Sequence, residues 1–289
     1  MIVDNTHKNE GPGVVYNSVD KTNNDREDFF CAKVNDELRH SNSFRCNDTS
    51  TTVSYSPKSK LENLVLNIEQ TLNSGTFKEG YPYIGTDIKV MGIRKYMDIE
   101  ITTCVPLIAK YIVDSKDYFN KLEIIRGIIL EMATREFPNS QIKLTLNSRD
   151  NVEKDDLYLT AIGSAIESGD EGVVGRGNRS RGVIPFARHF SMEAACGKNP
   201  IYHTGKLFTA IGDVISDEIC RTLGLENVVY CTSKMGDDIL NPWNISVELN
   251  VVVSDETRKL IESIVEQNIR NHSLISEDII YRRLTLNSY

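Results

Sequence analysis

The sequence predicts an α+β protein built from repeated lobes, each a mostly antiparallel sheet with helices laid on one face. Three observations lead there. Apolar residues recur at helical spacing in four separate stretches, paired strand-like runs lie between those stretches, and the order helix, two strands, helix repeats along the chain. A doubly wound parallel fold alternates single strands with helices instead. With 289 residues and 40% hydrophobic content the chain is long enough to bury a sizeable core.

Residues 1–50 are rich in Asn, Asp and Ser and read as a loop-rich segment with one edge strand near Val14, Val15 and Tyr16. A first lobe is expected over 51–166 and a second over 167–289. The first helix is marked by Leu61, Leu64, Val65, Ile68 and Leu72, between Pro57 and the stop at Asn73-Ser74-Gly75. The runs IKVMGIR from Ile88 and IEITTCVPLI from Ile99 are close enough to pair as a hairpin through Lys95 to Asp98. Ser115 is the expected cap of a second helix with Phe119, Leu122, Ile125, Ile129 and Met132 on one face and Pro138 beyond its end. QIKLTLN and LYLTAIGS read as strands. A third helix from about Gly205 to Leu223 turns Leu207, Ile211, Val214, Ile215 and Ile219 inward and stops at Gly224. Strands VVYCTSK and ISVELNVVV follow, and Ser254 caps a fourth helix carrying Leu260, Ile261, Ile264, Val265 and Ile269.

A net charge of −8 argues against a surface that tracks nucleic acid as a whole. The six cysteines form no C-x-x-C pair and no Cys/His spacing of the zinc kind, so they read as reduced packing thiols. His7, His40 and His189 have no partner at ligand spacing. The opening MIVDNTHKNEGPG has no basic and apolar leader pattern, and no run reaches the ~20 apolar residues of a membrane span. The expectation is a cytoplasmic protein without a membrane partner.

Chemistry concentrates between Gly169 and Lys206, where glycines alternate with Arg176, Arg179, Arg181, Arg188, Lys198 and Lys206. Glycine lets backbone N–H groups come close to an anion, and Arg and Lys give charge-assisted hydrogen bonds to phosphate oxygens. A polyphosphate is the ligand this pattern suits. Gly175-Arg176-Gly177 alone would also describe a solvated loop, and the segment is neither a Walker A loop nor a dinucleotide fingerprint. It lacks the interleaved aromatics of an RNA-binding loop. Cys196 lies inside the segment without a paired base and reads as a packing residue.

GDEGVVGRGNR from Gly169, followed by GVIPFARHFSMEAACGKNPIYHTGK from Gly182, closely resembles the archaeal-type S-adenosylmethionine synthetases (methionine adenosyltransferases). NDTSTTVSYSP at Asn47, IGTDIKVMGIR at Ile84 and SKMGDDILNP at Ser233 extend the likeness from roughly Gly11 to the C-terminus. The resemblance implies that family's fold. It implies a transferase that joins methionine sulfur to C5′ of ATP, expels triphosphate and hydrolyses it to phosphate and diphosphate, with Mg2+ and often K+ assisting. By the same resemblance, Lys198, Arg179 and Asp170 are the candidate catalytic residues. Arg176, Gly175, Gly177, His203, Lys206, Asp48 and Asp87 are candidates for nucleotide or substrate binding, with a cap or turn role standing as the alternative for Asp48 and Asp87. The metal ligands are not assigned.

The family also carries an HPD-containing loop and an HNTDQ-type motif, and neither occurs in this sequence. The expectation is therefore an oligomer, either of this chain or with a second chain that supplies those motifs. The alternative is a non-catalytic nucleotide-binding or regulatory subunit of a synthetase complex.

Overall fold

The computed structural model describes residues 45–154, 156–164, 182–186, 188–191, 193, 195, 198–281 and 283–284. The chain divides into two compact units, Met1–Pro57 with Asn178–Leu286 and Lys58–Gly177 with Asn287–Tyr289. The edge strand expected near Val14 lies outside the described residues.

In the unit of Lys58–Gly177, helix α1 (Lys60–Asn73) opens on a capping box: Ser59 accepts from Glu62 N while Glu62 accepts from Ser59 N. A short helix α2 (Gly75–Gly80) follows. Strands β2 (Lys89–Lys95) and β3 (Asp98–Cys104) form the expected hairpin, with Lys95 opposite Asp98. The run after Cys104 breaks at Pro106, and β4 (Leu107–Ile108) leaves the sheet to pair in parallel with β6 (Leu159–Thr160), all that remains of LYLTAIGS. Helix α3 (Ser115–Glu136) is capped by Asp114, one residue before the expected Ser115, because the Asp114 carboxylate accepts from Asp117 N at 2.7 Å. Strand β5 (Gln141–Leu146) runs parallel to β3.

β3 alternates exposed and buried residues, so Ile99 and Ile101 meet Leu64, Ile68 and Leu72 of α1 and Leu122, Ile125 and Ile129 of α3 in one core. Tyr118 replaces Phe119 on the buried face of α3, since its hydroxyl finds a buried polar network there. Gly92 is the point of close approach: a Cβ there would come within 2.9 Å of Leu61 Cδ1.

In the other unit, β1 (Thr51–Ser56), β7 (Asn227–Thr232) and β8 (Asn244–Leu249) form an antiparallel sheet in the order β1-β7-β8. Helices α4 (Thr204–Leu223), α5 (Asp255–Arg270) and α6 (His272–Ile280) supply Leu207, Phe208, Ile211, Ile215, Ile261, Ile264 and Ile275 to a core with Val229 and Cys231. Gly224 ends α4 with φ 67°, as expected of a left-handed cap. Here the structure differs from the expected lobe boundary at 51: β1 pairs with β7 along its whole length and belongs with the C-terminal residues. Its helix-facing side chains are Thr52, Ser54 and Ser56, which pack beneath α4 by hydrogen bonds such as Ser54 Oγ to Thr209 O, 3.3 Å. Gly212 of α4 makes that approach possible, for a Cβ would lie 2.8 Å from Ser54 Oγ.

Candidate functional site

The first turn of α4 gathers the predicted groups that fall among the described residues of its unit. His203 caps the helix, its Nδ1 accepting from Lys206 N at 3.2 Å. Asn47 latches the lead-in of β1 to the same turn: its Oδ1 accepts from Thr204 N at 2.8 Å and from Thr204 Oγ1 at 2.9 Å, and its N–H returns a bond to Thr204 Oγ1. The neighbouring Asp48 is exposed, with Oδ1 accepting from Thr49 N at 2.7 Å and its carbonyl accepting from Ser233 Oγ at 2.9 Å.

Lys198 arrives on a folded turn. Its carbonyl accepts from Lys206 Nζ at 2.9 Å, Asn199 Oδ1 accepts from Ile201 N at 2.8 Å, and Pro200 O accepts from Ser276 Oγ of α6 at 2.9 Å. Among the described residues no hydrogen bond or ion pair engages Lys198 Nζ, which is exposed. Lys206 therefore steadies the backbone of Lys198, while the Lys198 ammonium stands open. Glu193 accepts a hydrogen bond from Ser50 Oγ and lies so close to Gly205 that a Cβ at that position would overlap its carboxylate. Burial holds the His203 imidazole below its ordinary pKa; Glu193 and Asp48 pull it up and Lys198 pushes it down, so all three charges face this ring.

Just upstream, Arg188 lies 4.6 Å over the Tyr55 ring, donates to Pro57 O at 3.4 Å and stands 3.6 Å from Glu226. His189 Nδ1 bonds to Tyr230 OH, which donates to Glu248 at 3.0 Å, a packing role.

Asp87 belongs to the other unit, where its Oδ2 is engaged by Tyr158 OH at 2.6 Å and Lys89 Nζ at 2.5 Å. Tyr158 N also donates to Asp150, whose second oxygen accepts from Tyr118 OH at 2.6 Å. Burial raises the Asp150 pKa despite these donors. Gly85 and Gly163 interlock beside Asp87: Thr86 N donates to Gly163 O at 2.6 Å, and a Cβ on Gly163 would come within 2.7 Å of Gly85 Cα.

The structure thus brings together Asp48, Lys198, His203 and Lys206 at one helix terminus and holds Asp87 in a separate network. Asp170, Gly175, Arg176, Gly177 and Arg179 lie outside the described residues. Glu193, Asn47 and Ser50 were not singled out from the sequence, although Glu193 sits within the SMEAACGKNP motif. Burial pushes the thiol of Cys46 up to about 11 and that of Cys231 up to about 12, as inert packing thiols require. Among the described residues no three His, Cys, Asp or Glu side chains gather to hold a metal. No helix among them is long and apolar enough to cross a membrane.

A family model described as S-adenosylmethionine synthetase (AdoMet synthetase) matches residues 14–283. The chain belongs to the S-adenosylmethionine synthetase family. It is 38% identical over 223 residues to a probable S-adenosylmethionine synthase of Aquifex aeolicus, covering 76% of this chain and 54% of that protein. It is 34% identical over 244 residues to the S-adenosylmethionine synthase of Pyrobaculum calidifontis, covering 83% and 61%. A further archaeal relative, from Saccharolobus solfataricus, is 35% identical over 247 residues, 83% of this chain and 61% of the relative. The chain therefore spans between half and two thirds of the length of these relatives. Among solved structures, an S-adenosylmethionine synthetase from Campylobacter jejuni shares the fold, with a TM-score of 0.51 and 15% identity over 78% of this chain and 60% of that one.

Proposed function

We propose that this chain takes part in S-adenosylmethionine synthesis from ATP and methionine, supplying the cationic side of a site that grips the triphosphate. The observation that carries the reading is the open Lys198 ammonium, presented on a turn fixed by Lys206 and α6 inside the family's GKNP motif. In the reaction, methionine sulfur forms a bond to C5′ of ATP as the C5′–O bond breaks and the electron pair leaves with the triphosphate; hydrolysis then yields phosphate and diphosphate. Sulfur carries a lone pair and needs no general base, so catalysis rests on alignment and on positive charge around the leaving chain. Lys198, Arg176 and Arg179 are the groups assigned to that charge, Asp170 to the substrate beside it, and Asp48 and His203 to the rim. Mg2+ and K+ are the ions the family reading adds, and no step is assigned to them.

The HPD and HNTDQ-type motifs come, in this reading, from a complementary polypeptide segment, and the outward face of β2 and β3, with Met91 63% and Ile93 47% exposed, serves assembly. The deciding experiment mixes the 289-residue polypeptide with one bearing those motifs and follows S-adenosylmethionine from ATP and methionine. Synthesis is expected in the mixture, which should sediment as an oligomer, and not with the 289-residue polypeptide alone. Triphosphate binding without synthesis in any mixture would leave a regulatory nucleotide-binding subunit.

A further inference from the structure

Among the described residues, Glu193 is the carboxylate seated against the first turn of α4 that no part of the proposed chemistry uses. Its surroundings are specific. Ser50, which donates to it, is itself fixed by Ser233, whose hydroxyl accepts from Ser50 N at 3.2 Å and donates to Asp48 O at 2.9 Å. On its other side the carboxylate rests on Gly205, the second residue of α4, where any Cβ would collide with it. A negative charge is favoured at a helix N-terminus, so the contact is attractive as well as close. One side chain thereby ties the Asp48 segment before β1 to the turn that the His203 cap opens, and Lys206 of that turn in its own right holds the Lys198 carbonyl.

We infer that Glu193 is a positioning residue, which seats the first turn of α4 against the Asp48 segment and so sets where His203 and Lys198 stand toward a bound triphosphate. The inference rests on the triphosphate reading above for its consequence, though not for its geometry. Glu193 acts through its shape and its Ser50 bond on the placement of other groups, and through its charge on His203, which Lys198 and Asp48 also face. Gly205 is the complement of this arrangement: its missing side chain is the space the carboxylate fills.

The test uses the full chain, inorganic tripolyphosphate with Mg2+, and calorimetry at a temperature where every variant is folded. Glu193→Ala should weaken binding by roughly five-fold, the worth of about one hydrogen bond, and Glu193→Gln, which keeps shape and the Ser50 bond, should stay within about two-fold of the parent. Gly205→Ala should be as weak as Glu193→Ala. Combining Gly205→Ala with Glu193→Ala should be no weaker than either alone, because the second change removes the collision that the first creates. Parent-like binding by folded Glu193→Ala, or losses that multiply in the double variant, would overturn the inference. If the parent itself binds no tripolyphosphate, the triphosphate reading fails instead, and the inference is then read from the NMR titration of His203. Glu193→Gln should shift that titration to lower pH; an unmoved His203 in both Glu193 variants sinks the inference independently.

Discussion

Lys206 directs its ammonium to the carbonyl of Lys198 at 2.9 Å, whereas no described residue bonds to Lys198 Nζ. The two lysines of the GKNPIYHTGK stretch therefore do different work. Lys198→Ala removes a charge-assisted contact and should weaken tripolyphosphate binding by about 1.5–3 kcal/mol, on the order of ten- to a hundred-fold. Lys206→Met removes the donor that fixes the Lys198 carbonyl and should weaken that binding by about 1 kcal/mol; calorimetry that ranks Lys206 above Lys198 would reverse the assignment. His203 gives a second prediction at this scale. Burial lowers its pKa, so the folded chain binds that proton less readily than the unfolded chain. Its contribution to stability is full above the unfolded value of about 6.5 and is lost as pH falls through the lowered folded value. Protonation also ends the role of Nδ1 as acceptor for Lys206 N, which uncaps α4. The denaturation midpoint should fall more steeply as pH drops below about 6.5 in the parent than in His203→Asn, where the replacement caps without titrating; equal slopes would show that His203 contributes nothing.

The clasp between residues 84–87 and Gly163, just beyond β6, centres on the Gly163 carbonyl, which accepts from Thr86 N at 2.6 Å, Asp87 N at 3.2 Å and Thr86 Oγ1 at 3.2 Å. Gly163 has φ +91°, and a Cβ on it would meet Gly85 Cα at 2.7 Å. Gly163→Ala therefore combines a left-handed strain with a collision and should destabilise its unit by about 2–4 kcal/mol, read as a lower denaturant midpoint with an unchanged slope. A midpoint within error of the parent would show that the clasp can part freely. Elements with a strong local signal were legible in the sequence. α1 and α4 follow their apolar period and stop at Ser74 and Gly224, and the hairpin of β2 and β3 turns where its residues predicted. β1 was hidden because Thr52, Ser54 and Ser56 bury hydroxyls beneath α4, so no apolar alternation marks the strand. α6 was hidden because it starts one residue after the Asn271 cap of α5 and keeps only three residues buried, His272, Ile275 and Ser276. In the same way, the motif around Lys198 advertised its chemistry. The Asn47 and Ser50 contacts that fix it span 157 and 143 residues, a separation no local pattern reports.

On the scale of the whole molecule, the chain covers 54% of one relative and 61% of others, and in the proposed reading the complete catalytic cycle belongs to an assembly larger than this chain. Within that assembly, the division of labour makes a kinetic prediction. Groups that touch only the leaving triphosphate gain strength as negative charge collects there in the transition state, and they contribute little to holding methionine in the ground state. In the reconstituted enzyme, Lys198→Ala and Arg179→Ala should therefore depress kcat by about a hundred-fold or more while changing the KM for methionine by less than about three-fold. Asp170→Asn, on the substrate side of the same motif, should act on the KM for methionine as well. Steady-state kinetics with each substrate varied in turn separate these cases. Should Lys198→Ala raise the methionine KM and leave kcat intact, its ammonium would have to be holding the amino acid, and the open position of Nζ on the Lys206-fixed turn would be a recognition site for the methionine carboxylate.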